Sequence, residues 1–401
     1  MAKIDDSVKK KVPELRFKGF TDDWEERKLI EVADYRNGKA HEKYISEAGD
    51  YIVVNSKFVS TNGLVKKYSD EMIAPLSKNE IAFVLSDVPN GRAIARTFLI
   101  SEENKYSLNQ RIAGITPHAD TNSYFLHSLM NRNHYFLRFD DGVSQTNLSK
   151  KEVEKWVELY PSYGEQQRIG SFFKQLDDTI ALHQRKLDLL KEQKKGFLQK
   201  MFPKNGEKVP ELRFAGFADD WEEHKVGNFL SESKIKGSDG SVSKKLTVKL
   251  WRKGIVPKEE IYKGSSATQY YIRLAGQFMY GKLDFLNQAF GILPNELDGY
   301  ESTLDSPAFD FKDGINPNFF LEYVCRENFY KYQGNIANGS RKAKRIHADT
   351  FFDMPITIPN FEEQQKIGSF FKQLDDTIAL HQRKLDLLKE QKKGFLQKMF
   401  V

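Results

Sequence analysis

The stretch "IGSFFKQLDDTIALHQRKLDLLKEQKKGFLQKMF" occupies residues 169–202 and returns without a single change at residues 367–400. A second repeat precedes each copy, "VPELRFKGFTDDWEERKL" at residues 12–29 and "VPELRFAGFADDWEEHKV" at residues 209–226. The segments between these repeats have diverged. Since internal repeats reveal the architecture directly, we expect two tandem units, each with a front motif, a variable globular domain and a long helix.

The repeated stretch has the heptad pattern of a coiled coil, with apolar residues at a and d positions and His183 or Lys194 at skipped positions. Further apolar residues, Phe172, Leu182, Leu189 and Leu198, widen the stripe and predict that a third surface is covered as well. The residues predicted for helix pairing and partner docking are Ile169, Phe173, Leu176, Ile180, His183, Leu187, Leu190, Phe197 and Met201, with Ile367, Phe371, Leu374, Ile378, His381, Leu385, Leu388, Phe395 and Met399 in the second copy.

Chain reach favours an antiparallel pair of helices. A helix of this length is about 50 Å long, whereas the linker "PKNGEK" spans at most about 20 Å. The predicted fold class is therefore α/β (mixed α+β), a pseudo-two-fold tandem repeat with two globular domains and two long antiparallel coiled-coil helices. The predicted domains are residues 12–160, a central helix at 161–203, residues 209–358 and a C-terminal helix at 359–401.

Composition narrows the class of protein. The chain of 401 residues carries a formal net charge of +6, which suits an anionic partner such as nucleic acid. It has one cysteine, Cys325, which predicts a buried small residue rather than a disulfide or a zinc site. There is no long apolar run and no signal-like N-terminal segment, so we expect a cytoplasmic protein with no membrane contact.

No catalytic motif stands out. The segment "GQFMYGKL" fits G-x-x-x-x-G-K but ends in Leu283, where a phosphate-binding loop needs the hydroxyl of Ser or Thr. Motifs of zinc proteases, of serine hydrolases and of dinucleotide binding are absent from the sequence. We therefore expect no catalytic residue, no metal site and no cofactor in this chain.

Each long helix follows a proline and an "EQQ" segment, in "YPSYGEQQRIGSFFKQLDDTI" and again in "IPNFEEQQKIGSFFKQLDDTI". Together with the repeated front motif and the lead-in "GVSQTNLSKKEVEKWVELYP", this pattern resembles the specificity (S) subunit of type I restriction–modification systems. The resemblance covers essentially the whole chain.

The resemblance implies a non-catalytic reader of double-stranded DNA. Each target-recognition domain would bind one half of a split sequence, and the paired helices would set the spacer. The helices would also dock two modification subunits, which are S-adenosylmethionine-dependent methyltransferases, and a restriction/translocase subunit would complete the complex. S-adenosylmethionine, ATP and Mg²⁺ are then expected in the partner subunits.

Lysine and arginine supply affinity for phosphates, while polar side chains read base edges. On that basis the predicted DNA contacts of the first domain are Lys57, Lys66, Lys67, Arg92, Arg96, Ser144, Gln145 and Asn147. Those of the second domain are Lys244, Lys245, Lys249, Arg252, Lys253, Arg341, Lys342, Lys344 and Arg345. Trp24 and Trp221 occur in both front motifs, so we expect them in the cores.

Two other hypotheses fit parts of the sequence. One is a scaffold whose coiled coil binds proteins and whose domains bind no DNA. The other is a self-sufficient nuclease–methyltransferase, which the absence of catalytic motifs and the short length disfavour.

Overall fold

The computed structural model describes residues 11–89, 91–204, 206–239, 244–259, 268–336 and 345–400. The chain divides into two compact units, one formed by Met1–Gln184 with Arg383–Val401 and the other by Arg185–Gln382. Both boundaries fall inside the repeated helices. Each unit therefore contains one globular domain and a part of each helix.

The front half of the chain supplies eleven strands and six α-helices in its described part. The strands are β1 (Glu25–Lys28), β2 (Ala33–Asn37), β3 (Tyr51–Val54), β4 (Tyr68–Ser69), β5 (Ile81–Val84), β6 (Ser86–Asp87), β7 (Thr97–Leu99), β8 (Tyr106–Leu108), β9 (Ile112–Pro117), β10 (Thr146–Asn147) and β11 (Val157–Tyr160). The helices are α1 (Leu29–Val32), α2 (Ser56–Ser60), α3 (Ser123–Met130), α4 (His134–Leu137), α5 (Lys150–Glu154) and α6 (Tyr163–Lys200).

The first domain is built on an antiparallel sheet with the order β2-β9-β5-β7, in which Ile81 lies opposite Ile115. A smaller sheet, β4-β3-β8, contains one parallel pair, β3 with β8. Two ribbons, β1-β11 and β6-β10, complete the domain. The β1-β11 ribbon joins the front motif to the strand that leads into α6.

The second half of the chain follows with β12 (Glu222–Lys225), β13 (Leu230–Ser233), β14 (Leu246–Val248), β15 (Ile255–Pro257), β16 (Tyr271–Ile272), β17 (Phe278–Tyr280), β18 (Phe290–Ile292), β19 (Glu301–Ser302), β20 (Ala308–Phe311), β21 (Pro355–Ile358), α7 (Pro317–Val324), α8 (Glu327–Ile336), α9 (Ala348–Phe352) and α10 (Phe361–Met399). Its main sheet has the order β13-β20-β17-β18, the counterpart of β2-β9-β5-β7. The ribbon β12-β21 repeats β1-β11, while β14-β15 and β16-β19 replace the smaller sheet.

Each domain has its own apolar core, and the repeated residues take equivalent places in the two cores. Trp24 and Trp221 are buried, as predicted, with 2% and 0% of their surface exposed. In the first unit, the core also contains Ile169 and Phe173 of α6. In the second unit, Ile367 and Phe371 of α10 do the same. The start of each helix is thus part of the core that precedes it in the chain.

The two long helices run antiparallel inside each unit. In the first unit, Asp177 of α6 accepts a bond of 2.5 Å from Lys392 of α10, and the rings of Phe172 and Phe395 pack edge to face. In the second unit, Lys194 of α6 pairs with Asp375 of α10 at 2.6 Å. The fold class predicted from the sequence is therefore confirmed.

A bidentate ion pair explains why the front motif and the "EQQ" segment recur together. In the first unit, the guanidinium of Arg16 donates to both carboxylate oxygens of Glu165 at 2.7 Å. In the second unit, Arg213 does the same to Glu363, also at 2.7 Å. Because both glutamates are fully buried, these charge-assisted bonds fix the front motif against the start of the helix.

The glutamine and the glycine of the repeated segment hold the globular domain to the helix. Gln166 accepts from the backbone N–H of Asn122 and donates to the carbonyl of Pro161, each at 3.0 Å. Gly170 lies so close to α3 that a Cβ there would be 2.3 Å from Oδ1 of Asn122. Gln364, Asn316 and Gly368 repeat these contacts in the second unit. In each unit we name the arginine–glutamate ion pair together with these glutamine and glycine contacts the helix lock.

Candidate nucleic-acid interface

Two predicted groups of DNA-binding residues in the first domain meet at one edge of the fold. Strand β6 pairs with β10, so that Asp87 lies opposite Thr146 and Ser86 opposite Asn147. The side-chain amide of Gln145 donates to the hydroxyl of Ser86 at 2.8 Å. The polar run that contains Ser144, Gln145 and Asn147 therefore lies beside the loop that carries Arg92 and Arg96. We call this edge the first reading edge.

Two aspartates shape the loops of the first reading edge. Asp87 accepts from the backbone N–H groups of Val88, Ala93 and Ile94 and so joins residues 87–88 to residues 93–94. Asp141 accepts from both the backbone N–H and the hydroxyl of Ser144. These bonds and the N–H of Val143 lower the pKa of Asp141 to about 2. Local bonds therefore hold the described residues on both sides of position 90 and the turn at residues 141–144.

Three arginines share the first reading edge. The Nε of Arg96 donates to the carbonyl of Arg92 at 2.5 Å. Arg132, which follows α3, donates from its backbone to the carbonyl of Ala95 and from its guanidinium to that of Ile94. Burial, together with the charges of Arg132 and Arg92, lowers the pKa of Arg96. Within the described residues, none of the three arginines forms an ion pair with a carboxylate.

The remaining predicted contacts of the first domain lie in another segment. Lys57 is on α2, while Lys66 and Lys67 immediately precede β4. All three side chains are exposed. They remain predictions, on the side of the smaller sheet rather than at the first reading edge.

The second domain has an equivalent edge, which is described in part. In the first domain, the backbone N–H of Leu148 donates to the carbonyl of Leu85, the residue that follows β5. In the second domain, the backbone N–H of Ile346 donates to the carbonyl of Lys282, two residues after β17. The exposed side chain of Arg345 therefore begins this edge, where it pairs with Asp305 at 3.3 Å. Arg341, Lys342 and Lys344 lie outside the described residues.

The basic residues around the β14-β15 hairpin are mostly on the surface. Lys244 and Lys245 lie over the rings of Tyr300 and Tyr270, at 5.7 and 5.0 Å. Lys249 and Lys253 are exposed near the tip of the hairpin. These four remain candidates for phosphate contacts.

Arg252 requires a correction. The sequence predicts a DNA contact, but the structure turns its guanidinium inward, where it donates to both carboxylate oxygens of Glu322 on α7. Lys194 donates to the same carboxylate at 3.0 Å. Because Glu322 is only 4% exposed in its side chain, this ion pair takes up the charge of Arg252. Arg252 therefore holds the hairpin to the helices, and we no longer assign it to DNA.

Sequence reasoning missed Arg132 and Lys282. Arg132 has a positive φ of 59°, and Ala95, which accepts its backbone bond, has a φ of 56°. Lys282 is buried, and burial lowers its pKa. The sequence offers no signal for either residue, because each reaches its edge through contacts between segments that are far apart in the chain.

The predicted helix-pairing residues all lie on the inner stripe of the helices. In both copies each one is buried or half-buried, from Ile169 to Met201 and from Ile367 to Met399. Four leucines beside the inner stripe are exposed instead. Leu182 and Leu189 expose 65% and 52% of their surface, and Leu380 and Leu387 expose 62% and 53%. We call these four residues the outer leucines. Within this chain the third surface predicted from the sequence is left uncovered at the outer leucines.

His127 on α3 lies against the helix pair in the first unit. Its side chain is half-buried, and its Nδ1 is shielded from solvent with no hydrogen-bond partner among the described residues. Tyr124 packs on the ring edge to face, and Lys392 and Asp177 are the charged groups that face it. Burial first and Lys392 second lower the pKa of His127 to about 4, against the opposing effect of Asp177.

This environment predicts a loss of stability in acid. In the unfolded chain this histidine takes up a proton below a pKa of about 6.5, whereas in the folded protein it stays neutral down to about pH 4. The free energy of unfolding is therefore unaffected above about pH 6.5 and decreases as the pH falls from there towards 4. At pH 5 the loss is about 2 kcal/mol in the free energy of unfolding. Leu321 takes the equivalent position in the second unit, counted from the N-caps Asn122 and Asn316. We expect H127L to reduce the fall of Tm between pH 7 and pH 5.

Thermal unfolding followed by circular dichroism measures this effect. H134L is the matched control, because His134 is exposed at the start of α4. An H127L variant that loses as much stability in acid as the wild type would show that His127 does not carry the effect.

Within the described ranges, no group of three or more histidine, cysteine, aspartate or glutamate side chains is placed to hold a metal ion. Cys325 is buried, and burial raises the pKa of its thiol to about 12. Among the described helices, none has both the length and the apolar composition needed to cross a bilayer.

A model of the type I restriction modification DNA specificity domain matches the chain at residues 21–192 and 308–390, which is more than half of its length. The chain belongs to this family. The assignment agrees with two domains that carry polar and basic edges and with helices that repeat unchanged. The comparisons give no support to the alternative of a scaffold that binds no DNA.

Two solved structures share the fold of this specificity subunit. A crystal structure of the type I restriction–modification S subunit from M. genitalium superposes with a TM-score of 0.67 at 12% identity, over 97% of this chain and 99% of that chain. A structure from work on complex assembly and conformational transition of the type I R-M system gives a TM-score of 0.50 at 14% identity, over 95% and 98%.

Proposed function

We propose that this chain is the DNA-recognition subunit of a type I restriction–modification complex in which each domain reads one half of a bipartite site. The two long helices set the spacer between the half-sites and dock two methyltransferase subunits. The single observation that carries the proposal is the pair of identical helix locks, which attach two different reading edges to two identical helices.

The two reading edges differ in amino-acid sequence, as is needed if the two domains recognise different bases. In the first domain, the run before α5 contains Ser144, Gln145 and Asn147, which are side chains that can read base edges. In the second domain, the equivalent run before α9 is strongly basic. Two domains with equivalent main sheets and different edge sequences fit two half-sites of unequal sequence.

The helix locks support the spacer function. Glu165 and Glu363 bind Arg16 and Arg213 with equal geometry, and Gln166 and Gln364 accept from the backbone N–H groups of the equivalent N-cap residues Asn122 and Asn316. Each domain is therefore held to the start of its helix in the same way. Fixed attachment is what a spacer needs, because half-sites on B-DNA must lie a set number of base pairs apart.

The outer leucines support the docking of partner subunits. On each helix the two leucines are seven residues apart, so they lie on one face. They are exposed although the inner stripe is buried. Two identical faces fit two copies of one partner. In this proposal the partners bind S-adenosylmethionine, ATP and Mg²⁺ and carry out catalysis, and the cell compartment is the cytoplasm.

Single-molecule methylome sequencing of cells with and without this gene tests the proposal. We expect the loss of N6-methyladenine at one bipartite motif with an internal gap, and of no other modified motif. An unchanged methylome in a strain that expresses the partner genes would contradict the proposal. As a second arm, replacing residues 206–401 with the equivalent half of a homologue should change one half of the motif and leave the other as it is.

A further inference from the structure

We propose that Arg92, Arg96 and Arg132 form a clamp for the DNA backbone phosphates in the first domain, with Arg132 as a contact that the sequence does not reveal. The proposal rests on the function proposed above and names the residues through which the first domain binds the backbone.

The first argument is the uncompensated charge. Arg96 is half-buried, and the charged groups that lower its pKa are the two other arginines. Elsewhere in the same domain, arginines at comparable depth have carboxylate partners, as Arg16 has Glu165 and Arg36 has Glu80. Like charges that are brought together with no counter-ion are unfavourable for the fold, and an anion supplied by a ligand removes the repulsion.

The second argument is backbone geometry. Ala95 and Arg132 both have φ in the left-handed region, which is uncommon for residues with a side chain, and the N–H of Arg132 bonds to the carbonyl of Ala95 at 2.8 Å. Such strained positions concentrate at functional sites. Here the strained pair places Arg132 beside Arg96, while Asp87 accepts from the backbone N–H groups of Ala93 and Ile94.

The third argument separates phosphate contacts from base contacts. The guanidinium groups of Arg96 and Arg132 donate to backbone carbonyls and are oriented by them, whereas Gln145 and Asn147 lie exposed on the neighbouring ribbon. Protein–DNA interfaces divide in the same way, with arginines on phosphates fixing the register and amide side chains reading base edges. The clamp therefore positions the ribbon, and the ribbon reads the sequence.

The test measures the DNA affinity of the full complex as a function of salt. The probes are a duplex that contains the motif found by methylome sequencing and an unrelated duplex of equal length. For R96A and R132G we expect each substitution to weaken binding to both duplexes about tenfold. The slope of log K against log salt should lose about one unit per arginine, since each phosphate contact releases counterions. Glycine is chosen at position 132 because it accepts the positive φ without strain.

R138A is the matched control, because Arg138 is an exposed arginine of the same domain that stacks on Tyr135 at 4.0 Å and on Phe139 at 5.0 Å. It should bind both duplexes like the wild type. R132K, which keeps the charge, should retain most of the salt slope. The Tm of R96A should equal or exceed that of the wild type, because removing one of three like charges relieves repulsion.

Three results would overturn the clamp. The first is that R96A and R132G bind DNA with the same affinity and salt slope as the wild type, while the wild type still prefers the motif duplex. That result would leave the proposed function intact. Another is weaker binding to the motif duplex alone with an unchanged slope, which would make the arginines base readers. The last is a wild-type complex that does not distinguish the two duplexes, which would reject the proposed function itself.

Discussion

Replacing the outer leucines Leu182, Leu189, Leu380 and Leu387 with glutamate should abolish methylation in cells. Each leucine exposes more than half of its surface in this chain. Burying a leucine side chain at an interface contributes about 1.5–3 kcal/mol, and a glutamate in its place adds the cost of removing a charge from water. Two substitutions per helix therefore weaken each docking site by about 3 kcal/mol or more, which is over a hundredfold in Kd.

Native mass spectrometry of the chain with its methyltransferase subunits measures the result directly. The fourfold variant should remain without partners, and L182E with L189E alone should bind one partner where the wild type binds two. L64E is the control, because Leu64 is 86% exposed but lies in the first domain. It should assemble normally. A fourfold variant that still binds two partners would place docking elsewhere.

Glu322→Ala should destabilise the second unit more than any surface substitution. Its carboxylate accepts from Arg252 and Lys194, and Lys194 also bonds to Asp375 at 2.6 and 2.7 Å. Burial opposes ionisation, but Arg252 and Lys194 hold the pKa of Glu322 below its usual range. Without Glu322 two cations share the single carboxylate of Asp375, and the loss of one partner in such a buried cluster costs about 3–5 kcal/mol. We expect a fall in Tm of about 10 °C.

E327A is the matched control for this substitution. Glu327 is on the next helix, α8, and pairs with Lys331 at 2.8 Å, but its side chain is 70% exposed. Exposed pairs of this kind contribute less than about 1 kcal/mol, so its Tm should stay near that of the wild type. An E322A variant within about 1 kcal/mol of the wild type in urea unfolding would show that the cluster is not a main source of stability.

The architecture could be predicted from the sequence because it depends on periodic, local patterns. The spacing of Ile169, Phe173, Leu176 and Ile180 already identifies the inner stripe, and the short linker selects the antiparallel arrangement. Buried Trp24 and Trp221 followed from their presence in both front motifs. These properties need no knowledge of which distant residues meet.

The reading edges could be predicted only in part. Residue type alone predicts the run from Ser144 to Asn147 and the loop of Arg92 as DNA contacts, and the pairing of β6 with β10 brings them together. Arg252 looked equally suitable, but Glu322 lies 70 residues away in the chain, so its ion pair depends on tertiary packing. Arg132 depends on a left-handed backbone conformation at a residue type that rarely adopts it.

The contacts of the front motif with the last helix have a consequence for synthesis. In the first unit, the N–H of Leu15 bonds to the carbonyl of Lys398 at 2.8 Å, and Met399 belongs to the core around Trp24. The second unit is one continuous segment, whereas the first takes residues from both ends of the described chain. During translation the second unit can therefore complete its core first. Most of the first unit is made earlier, but its core is complete only after the last helix, with Met399, has been synthesised.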